Sequence, residues 1–295
     1  MNASPAIATT SEALTFRAMN TEWWITAPAA RQTLLDRVER LVHESEERYS
    51  RFRSTSLLSR LNVERSVEDA GMAALVSRAL EIGRATGGAF DIRVGAAVIA
   101  AGYDRSFEQL PAVASDDRIA PPVAMLDVRV EGDTVLLDGV GIVDLGGIAK
   151  GWTIDRVAEL FDDAGVTDYL VDGGGDIRAH GRDASGEAWA VGIGEDLAVR
   201  LADAAVCTSS TQRRRWATPA GAAHHIIDPA RGQSAVEVVT NAAVIAADTA
   251  TADALATAVI ASPSALGAAT ALGAEVLLER NGAWEMTPGV EGWLA

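Results

Sequence analysis

The sequence predicts an α+β fold, and three observations carry that expectation. Strand-like segments follow one another at 168–171, 176–180, 188–193 and 204–208, amphipathic helical spacing is confined to a few separated stretches, and no period of 20–50 residues recurs. Residues 1–12 are polar and alanine-rich and are expected to form a flexible N-terminus. No linker-like run divides 13–295, which is expected to be a single domain.

Residues 13–26 alternate and carry Phe16, Trp23, Trp24 and Ile25, as a strand would. Ala29 to Tyr49 places Leu34, Leu35, Val38, Leu41 and Val42 at helical spacing. A second helix is expected from Val67 to Thr86, stopped by Gly87-Gly88, since paired glycines take left-handed conformations at little steric cost. After a Pro-containing loop at 111–122, the segments 124–130 and 134–138 flank Glu131-Gly132-Asp133 and read as a hairpin. Trp152 to Asp163 puts Ile154, Val157, Ala158 and Phe161 on one helical face, with Gly165 as the stop. A strand at 239–246 leads into an alanine-rich helix from Thr249 to Ile260.

The bulk numbers exclude several function classes. Of 295 residues, 48% are hydrophobic and 22% charged, an ordinary globular balance. A formal charge of −16 repels polyphosphates, which argues against general affinity for nucleic acid or an anionic membrane; an anionic ligand needs a local exception built from backbone amides, a few cations and a metal ion. Cys207 is the single cysteine, so neither a disulfide nor a cysteine metal cluster can form within one chain. No run of 18 apolar residues occurs and the N-terminus does not resemble a signal peptide, so no membrane span is expected and the cytoplasm is the expected compartment.

Five constellations can carry chemistry, each with a plainer reading beside it. Asp144-Leu145-Gly146-Gly147-Ile148-Ala149-Lys150-Gly151 sets two glycines before a helix, where free amides receive phosphate and Lys150 adds charge; a strand-to-helix turn needs the same glycines. The run matches neither Gly-x-x-x-x-Gly-Lys-Ser/Thr nor Gly-x-Gly-x-x-Gly. Asp172-Gly173-Gly174-Gly175-Asp176 lets a ligand approach closely, and a tight turn explains it equally. His224-His225-Ile226-Ile227-Asp228-Pro229 sets an imidazole and a carboxylate near a turn closed by Arg231-Gly232, or packs its histidines. Asp253 and Thr257, four apart on a helix, can share a hard cation or face solvent. Arg213-Arg214-Arg215 binds phosphate or pairs with the abundant carboxylates.

In order and spacing these segments resemble the ApbE family of FAD:protein FMN transferases from about residue 14 to 280. The likeness also includes Ala18-Met19-Asn20-Thr21, Ser59-Arg60-Leu61-Asn62, Gly88-Ala89-Phe90-Asp91 followed by Val94-Gly95, Gly174-Gly175-Asp176-Ile177, and Ala252-Asp253-Ala254-Leu255-Ala256-Thr257. It implies mixed or antiparallel sheets with packed helices, in two lobes around a flavin cleft. It further implies a Mg²⁺-dependent transfer of FMN from FAD to a Ser or Thr hydroxyl of an acceptor flavoprotein, through a phosphoester bond and with release of AMP. Carried over by position, Met19, Phe52, Ala89, Phe90, Asp91, Asp144, Lys150 and Ile226 contact FAD, while the Gly147 carbonyl, Asp253 and Thr257 hold Mg²⁺.

His225 is the candidate base, because an unperturbed imidazole titrates nearest neutrality, and Lys150 is the candidate for stabilising charge. Two alternatives keep the flavin: an FAD pyrophosphatase giving FMN and AMP, and a binding protein without turnover. The chain departs from the family's usual Met-Gly-Thr at Asn20, from its Asp-Pro-Thr at Ile92-Arg93, and from its Thr-Ser-Gly-x-Tyr-Arg-Arg across Thr208 to Arg214.

Overall fold

The computed structural model describes residues 13–115, 119–195, 197–236 and 238–295; the N-terminal segment expected to be flexible lies outside the described residues. Strands β1 (Leu14–Ala18) and β2 (Thr21–Thr26) form an antiparallel hairpin that sets Phe16 opposite Trp23. The single strand expected over 13–26 is therefore two strands. The turn is made by Met19 and Asn20, both left-handed at φ 51° and 64°, and neither is the glycine that would have marked it.

Helix α1 (Gln32–Tyr49) buries Leu34, Val38 and Val42. Helix α2 (Leu57–Glu64) starts where the Ser56 side chain accepts from the Ser59 amide, and strand β3 (Ser66–Glu68) follows it. Helix α3 (Ala70–Ala85) is capped by Asp69, whose side chain accepts from the Met72 amide. The helix expected from Val67 therefore begins later, because its first residues pair as a strand and the cap sits at Asp69. Gly87 and Gly88 stop α3 with φ of 62° and 85°. Helix α4 (Gly95–Ala100) precedes the expected hairpin, β4 (Leu126–Glu131) and β5 (Thr134–Gly139), which forms a three-stranded sheet in the order β3-β5-β4.

Helix α5 (Ala149–Asp163) begins ahead of the expected Trp152, so Lys150 and Gly151 lie in its first turn. Strands β6 (Tyr169–Gly173), β7 (Asp176–His180), β8 (Trp189–Ile193), β9 (Leu197–Leu201) and β10 (Asp203–Ser210) follow. Four short strands, β11 (Arg215–Thr218), β12 (Gly221–His224), β13 (Ile227–Asp228) and β14 (Gln233–Ser234), make two small hairpins. Strand β15 (Asn241–Ala246) leads into helix α6 (Thr249–Ala261) and helix α7 (Leu266–Ala271), and β16 (Glu275–Arg280) and β17 (Ala283–Met286) close the chain's sheet.

An eight-stranded antiparallel sheet runs β1-β2-β6-β7-β10-β15-β16-β17, and with the helices it gives the mixed α+β architecture. The largest hydrophobic core joins α3, the β4-β5 hairpin and α6, and it reaches Ala205, Cys207 and Val244 of the large sheet. Helix α6 is buried almost all round, which its alanine-rich sequence permits because small side chains let neighbouring backbones approach. Among the described residues no helix is long and apolar enough to cross a membrane.

Candidate functional site

The site is organised by the crossing of α5 and α6. A Cβ at Gly151 would stand 2.4 Å from the Thr249 carbonyl oxygen, so the two backbones touch where glycine removes the side chain. Asp155 reinforces the junction by accepting from the Thr249 and Ala250 amides at 2.8 Å each, supplying partners to the open N-terminus of α6. One turn along, the Gly151 amide donates to Asp253 Oδ2 at 3.1 Å and fixes that carboxylate across the junction. Asp253 is 6% exposed; burial raises its pKa, and the neighbouring Lys150 acts the other way.

Gly147 approaches the same helix one turn further along. A Cβ there would lie 3.0 Å from Thr257 Oγ1 and 3.3 Å from the Phe90 ring, which ties three sequence-distant candidates together. Asp253, Thr257 and the Gly147 backbone are thus grouped on one stretch of α6 and the loop before α5. The donors they offer are oxygens, the type a hard cation takes, so the residues present fit Mg²⁺. Among the described residues no group of three His, Cys, Asp or Glu side chains is assembled for a metal, which leaves backbone and hydroxyl oxygens to complete this set.

Lys150 forms an ion pair with Asp176, which is 2% exposed and whose Oδ1 accepts from the Thr208 amide at 3.3 Å. Burial lowers the Lys150 pKa, and Asp253 is the foremost group opposing that shift. The glycines beside Asp176 are required by crowding: at Gly174 a Cβ would fall 2.0 Å from Thr21 Oγ1, and at Gly175 it would meet Thr208 and Arg213. The Met19-Asn20 turn, the glycine run and the start of α5 thereby become neighbours. Asn20 departs from the family's glycine, yet asparagine is among the few residues that accept its left-handed conformation.

A second group surrounds Asp144. Its Oδ1 accepts from the Gly146 amide at 2.6 Å and its Oδ2 pairs with Arg51 Nε at 2.5 Å. The Asn62 side chain holds the preceding residue by a reciprocal pair of bonds with the Val143 backbone, which gives Ser59-Arg60-Leu61-Asn62 a structural purpose. The Arg51 guanidinium lies over the rings of Phe52 and Tyr103, with Cζ 4.2 and 4.8 Å from their centroids. Tyr103 in turn stacks on Trp216 and meets His225 edge-on.

The two adjacent histidines have different environments. His224 is 2% exposed; its Nδ1 accepts from the Ile226 amide, so Nε2 carries the proton and donates to the Ala235 carbonyl. It is a packed structural residue. His225 is half-buried, and its Nδ1 is enclosed without a hydrogen-bond partner among the described residues. Burial, and then Arg214, push its pKa down to about 3, so the ring is neutral at pH 7.

The remaining candidates are placed less openly. Met19 sits in the β1-β2 turn, and Ala89, Phe90 and Ile226 are at least 92% buried, so they offer mainly backbone edges. The Asp91 carboxylate is gripped by Arg93 through Nε and Nη2, and Arg93 also donates to the Leu126 carbonyl. Of the arginine triplet only Arg215 enters a strand, while Arg214 stands close enough to influence His225, Tyr103, Lys150 and Asp253. Arg51, Tyr103 and Trp216 are site residues that sequence reasoning did not find. A cavity of about 280 Å³ beside the α6 N-terminus, lined by Arg78, Trp152, Asp155 and Arg178 among others, includes none of the candidates.

Known proteins share this fold. The sequence profile of the ApbE family matches residues 19–277. A FAD:protein FMN transferase from Vibrio cholerae is 30% identical over 81% of this chain and 76% of its own length, and one from Treponema pallidum is 32% identical over 78% and 72%. The solved structure of the flavin transferase ApbE from Vibrio cholerae superposes with a TM-score of 0.80 at 26% identity, covering 96% of this chain and 99% of that one.

Proposed function

The chain belongs to the ApbE family, and on that premise we propose that it transfers FMN from FAD to a Ser or Thr hydroxyl of an acceptor protein, releasing AMP. One observation carries the reading: the α5-α6 crossing at Gly151 gathers the Gly147 backbone, Lys150, Asp253 and Thr257 from segments about a hundred residues apart. A purely structural glycine turn has no need of a half-buried lysine and an oxygen donor set beside it.

In this reading the acceptor oxygen attacks the FMN phosphorus, the phosphorus–oxygen bond to AMP breaks, and AMP leaves with the bonding electrons. The proton of the attacking hydroxyl passes to the neutral imidazole of His225. An imidazole with a pKa of about 3 is a weak base. A substrate phosphate that offsets the positive field of Arg214 strengthens it. Lys150 and Arg214 supply charge against the diphosphate, and the crowding around Gly174 and Gly175 keeps that wall free of side chains. The Gly147 carbonyl, Asp253 and Thr257 would hold Mg²⁺, which when bound neutralises phosphate charge.

The test incubates the protein with FAD and Mg²⁺, with and without a peptide bearing a Ser or Thr acceptor, and follows AMP and peptide mass. AMP together with a flavinylated peptide supports transfer. AMP with free FMN and unmodified peptide replaces the reading by hydrolysis, and neither product replaces it by binding alone. His225→Ala is expected to abolish transfer while FAD still binds; near-normal turnover removes His225 from the reaction.

A further inference from the structure

Lys150 is the only lysine in the chain: of 25 basic residues, all the others are arginine. A sequence that otherwise supplies its cations as guanidinium departs from that habit at one position, in the first turn of α5. The difference matters there, since an ammonium is a compact point charge on a flexible stem and a guanidinium is a rigid planar fork.

Three carboxylates act on the Lys150 ammonium, those of Asp172, Asp176 and Asp253. Each accepts one backbone amide: Asp172 from Gly175 at 2.7 Å, Asp253 from Gly151 at 3.1 Å, and Asp176 from Thr208 at 3.3 Å. What sets Asp176 apart is its second oxygen, which makes the one ion-pair contact of Lys150 among the described residues. Asp176 is itself fixed. It opens β7, an interior strand of the large sheet, it is 2% exposed, and its other oxygen is held by the neighbouring strand β10. A larger planar head has little room beside it. At Gly175, the preceding residue, even a Cβ would stand 3.0 Å from Thr208 Oγ1 and 3.4 Å from Arg213 Nη1.

We infer that Asp176 is a positioning residue: it holds the chain's one side-chain ammonium in a single place, so that the charge of Lys150 meets the substrate diphosphate already aimed. The inference rests on the role proposed above for Lys150 and adds the residue through which that role is exercised. A lysine without such an anchor moves among many rotamers, and ordering it on binding would draw on the affinity for the ligand. Asp176 meets that cost during folding, from a strand that cannot shift without its neighbours in the sheet.

The single lysine makes the test direct, because protein grown on isotope-labelled lysine gives one side-chain ammonium signal in nuclear magnetic resonance. Asp176→Asn keeps an oxygen for the Thr208 amide and removes the ion pair. Its ammonium signal should shift and exchange its protons faster, and calorimetry should show ADP with Mg²⁺ bound about three- to tenfold more weakly. By charge alone the loss of a carboxylate strengthens the binding of an anion, so weaker binding by the folded variant reports lost placement. Lys150→Met should weaken ADP binding at least as much, and the double variant no more than Lys150→Met, because Asp176 acts through the lysine. An unmoved ammonium signal, ADP affinity equal to or tighter than the parent's, or losses that multiply in the double variant each overturn the inference. Should Asp176→Asn fail to fold, Lys150→Arg, which keeps the charge without the compact head, is read with the same ligand: binding weakened by a similar factor is expected, and the parent's affinity overturns the inference. Neither measurement requires turnover, so a protein that shows these effects yet transfers nothing fails the transferase reading alone.

Discussion

Replacing Gly151 by alanine sets two effects of known sign against each other. On helix propensity alone the change stabilises α5 by about 1 kcal/mol. The added methyl, however, would stand 2.4 Å from the Thr249 carbonyl oxygen, 2.7 Å from its carbon and 2.9 Å from the Ala250 Cα. All three are backbone atoms held by Asp155, so no side chain can rotate away. Comfortable contacts lie near 3.5–4 Å, and the helices must therefore separate by roughly 1 Å. Overpacking of this kind costs about 1–3 kcal/mol. The net expectation is a loss of up to about 2 kcal/mol, or up to roughly 3 °C in Tm for a chain of this size. The same shift pulls Gly151 from Asp253 and misplaces the oxygen donors, for which about a hundredfold loss of transfer is expected. Calorimetry and AMP release read the two effects. Gly267→Ala in α7 is the control, since nothing lies within 4 Å of its Cβ position, and it should be neutral or slightly stabilising. A Gly151→Ala protein that melts higher and transfers at full rate would refute the crossing as the organiser of the site.

Three further outcomes are expected. Asp155→Ala strips the first amides of α6 of their acceptor and should lower stability by about 1–2 kcal/mol, read from the urea midpoint; an unchanged midpoint removes Asp155 from that role. His225 is held neutral, with its pKa near 3 against an ordinary 6.5, so between those values the unfolded chain binds a proton that the folded chain refuses. Its presence therefore costs stability progressively as pH falls from 6.5 towards 3, and the Tm of His225→Gln should decline less steeply across that window than that of the parent; parallel curves count against the burial argument. Arg93→Ala leaves the Asp91 carboxylate, 7% exposed in its side chain, without its cation and should destabilise by about 1–3 kcal/mol. Adding Asp91→Asn should restore part of that loss, and failure to do so would show that the Arg93 contact with Leu126 matters more.

The sequence reveals those parts of the site whose residues are unusual where they stand. A doubled glycine before a helix, a glycine run ending in aspartate, and an Asp/Thr pair four apart all announce themselves locally, and the structure draws Gly147, Lys150, Asp253 and Thr257 into one place. Arg51 and Tyr103 carry no such mark. An arginine after a helix and a tyrosine in a loop become informative only once Asp144 and Trp216 are packed against them, and no spacing rule links positions so far apart. The same limit explains the misread elements. Met19 and Asn20 turn the chain without glycine or proline, so the first hairpin looks like one strand. Gly151 looks like a loop residue because glycine disfavours helices, whereas here it lies inside α5 to let α6 approach. The two histidines are equivalent in sequence, and only the carbonyl of Ala235 and the amide of Ile226 separate the packed one from the candidate base.

The amide-to-carboxylate bond between Gly151 and Asp253 spans 102 positions of sequence. During synthesis, a chain that has emerged as far as β14 already contains Lys150, the glycine run and both histidines, but it has no α6 for α5 to cross. Its lysine has no Asp253 beside it, and the loop at Gly147 has no Thr257 to meet. The crossing of α5 and α6 thus arrives late and all at once, when the last fifth of the chain docks. A truncated or nascent polypeptide would lack this crossing, so under the proposed function ligand binding would report that the entire sheet has closed.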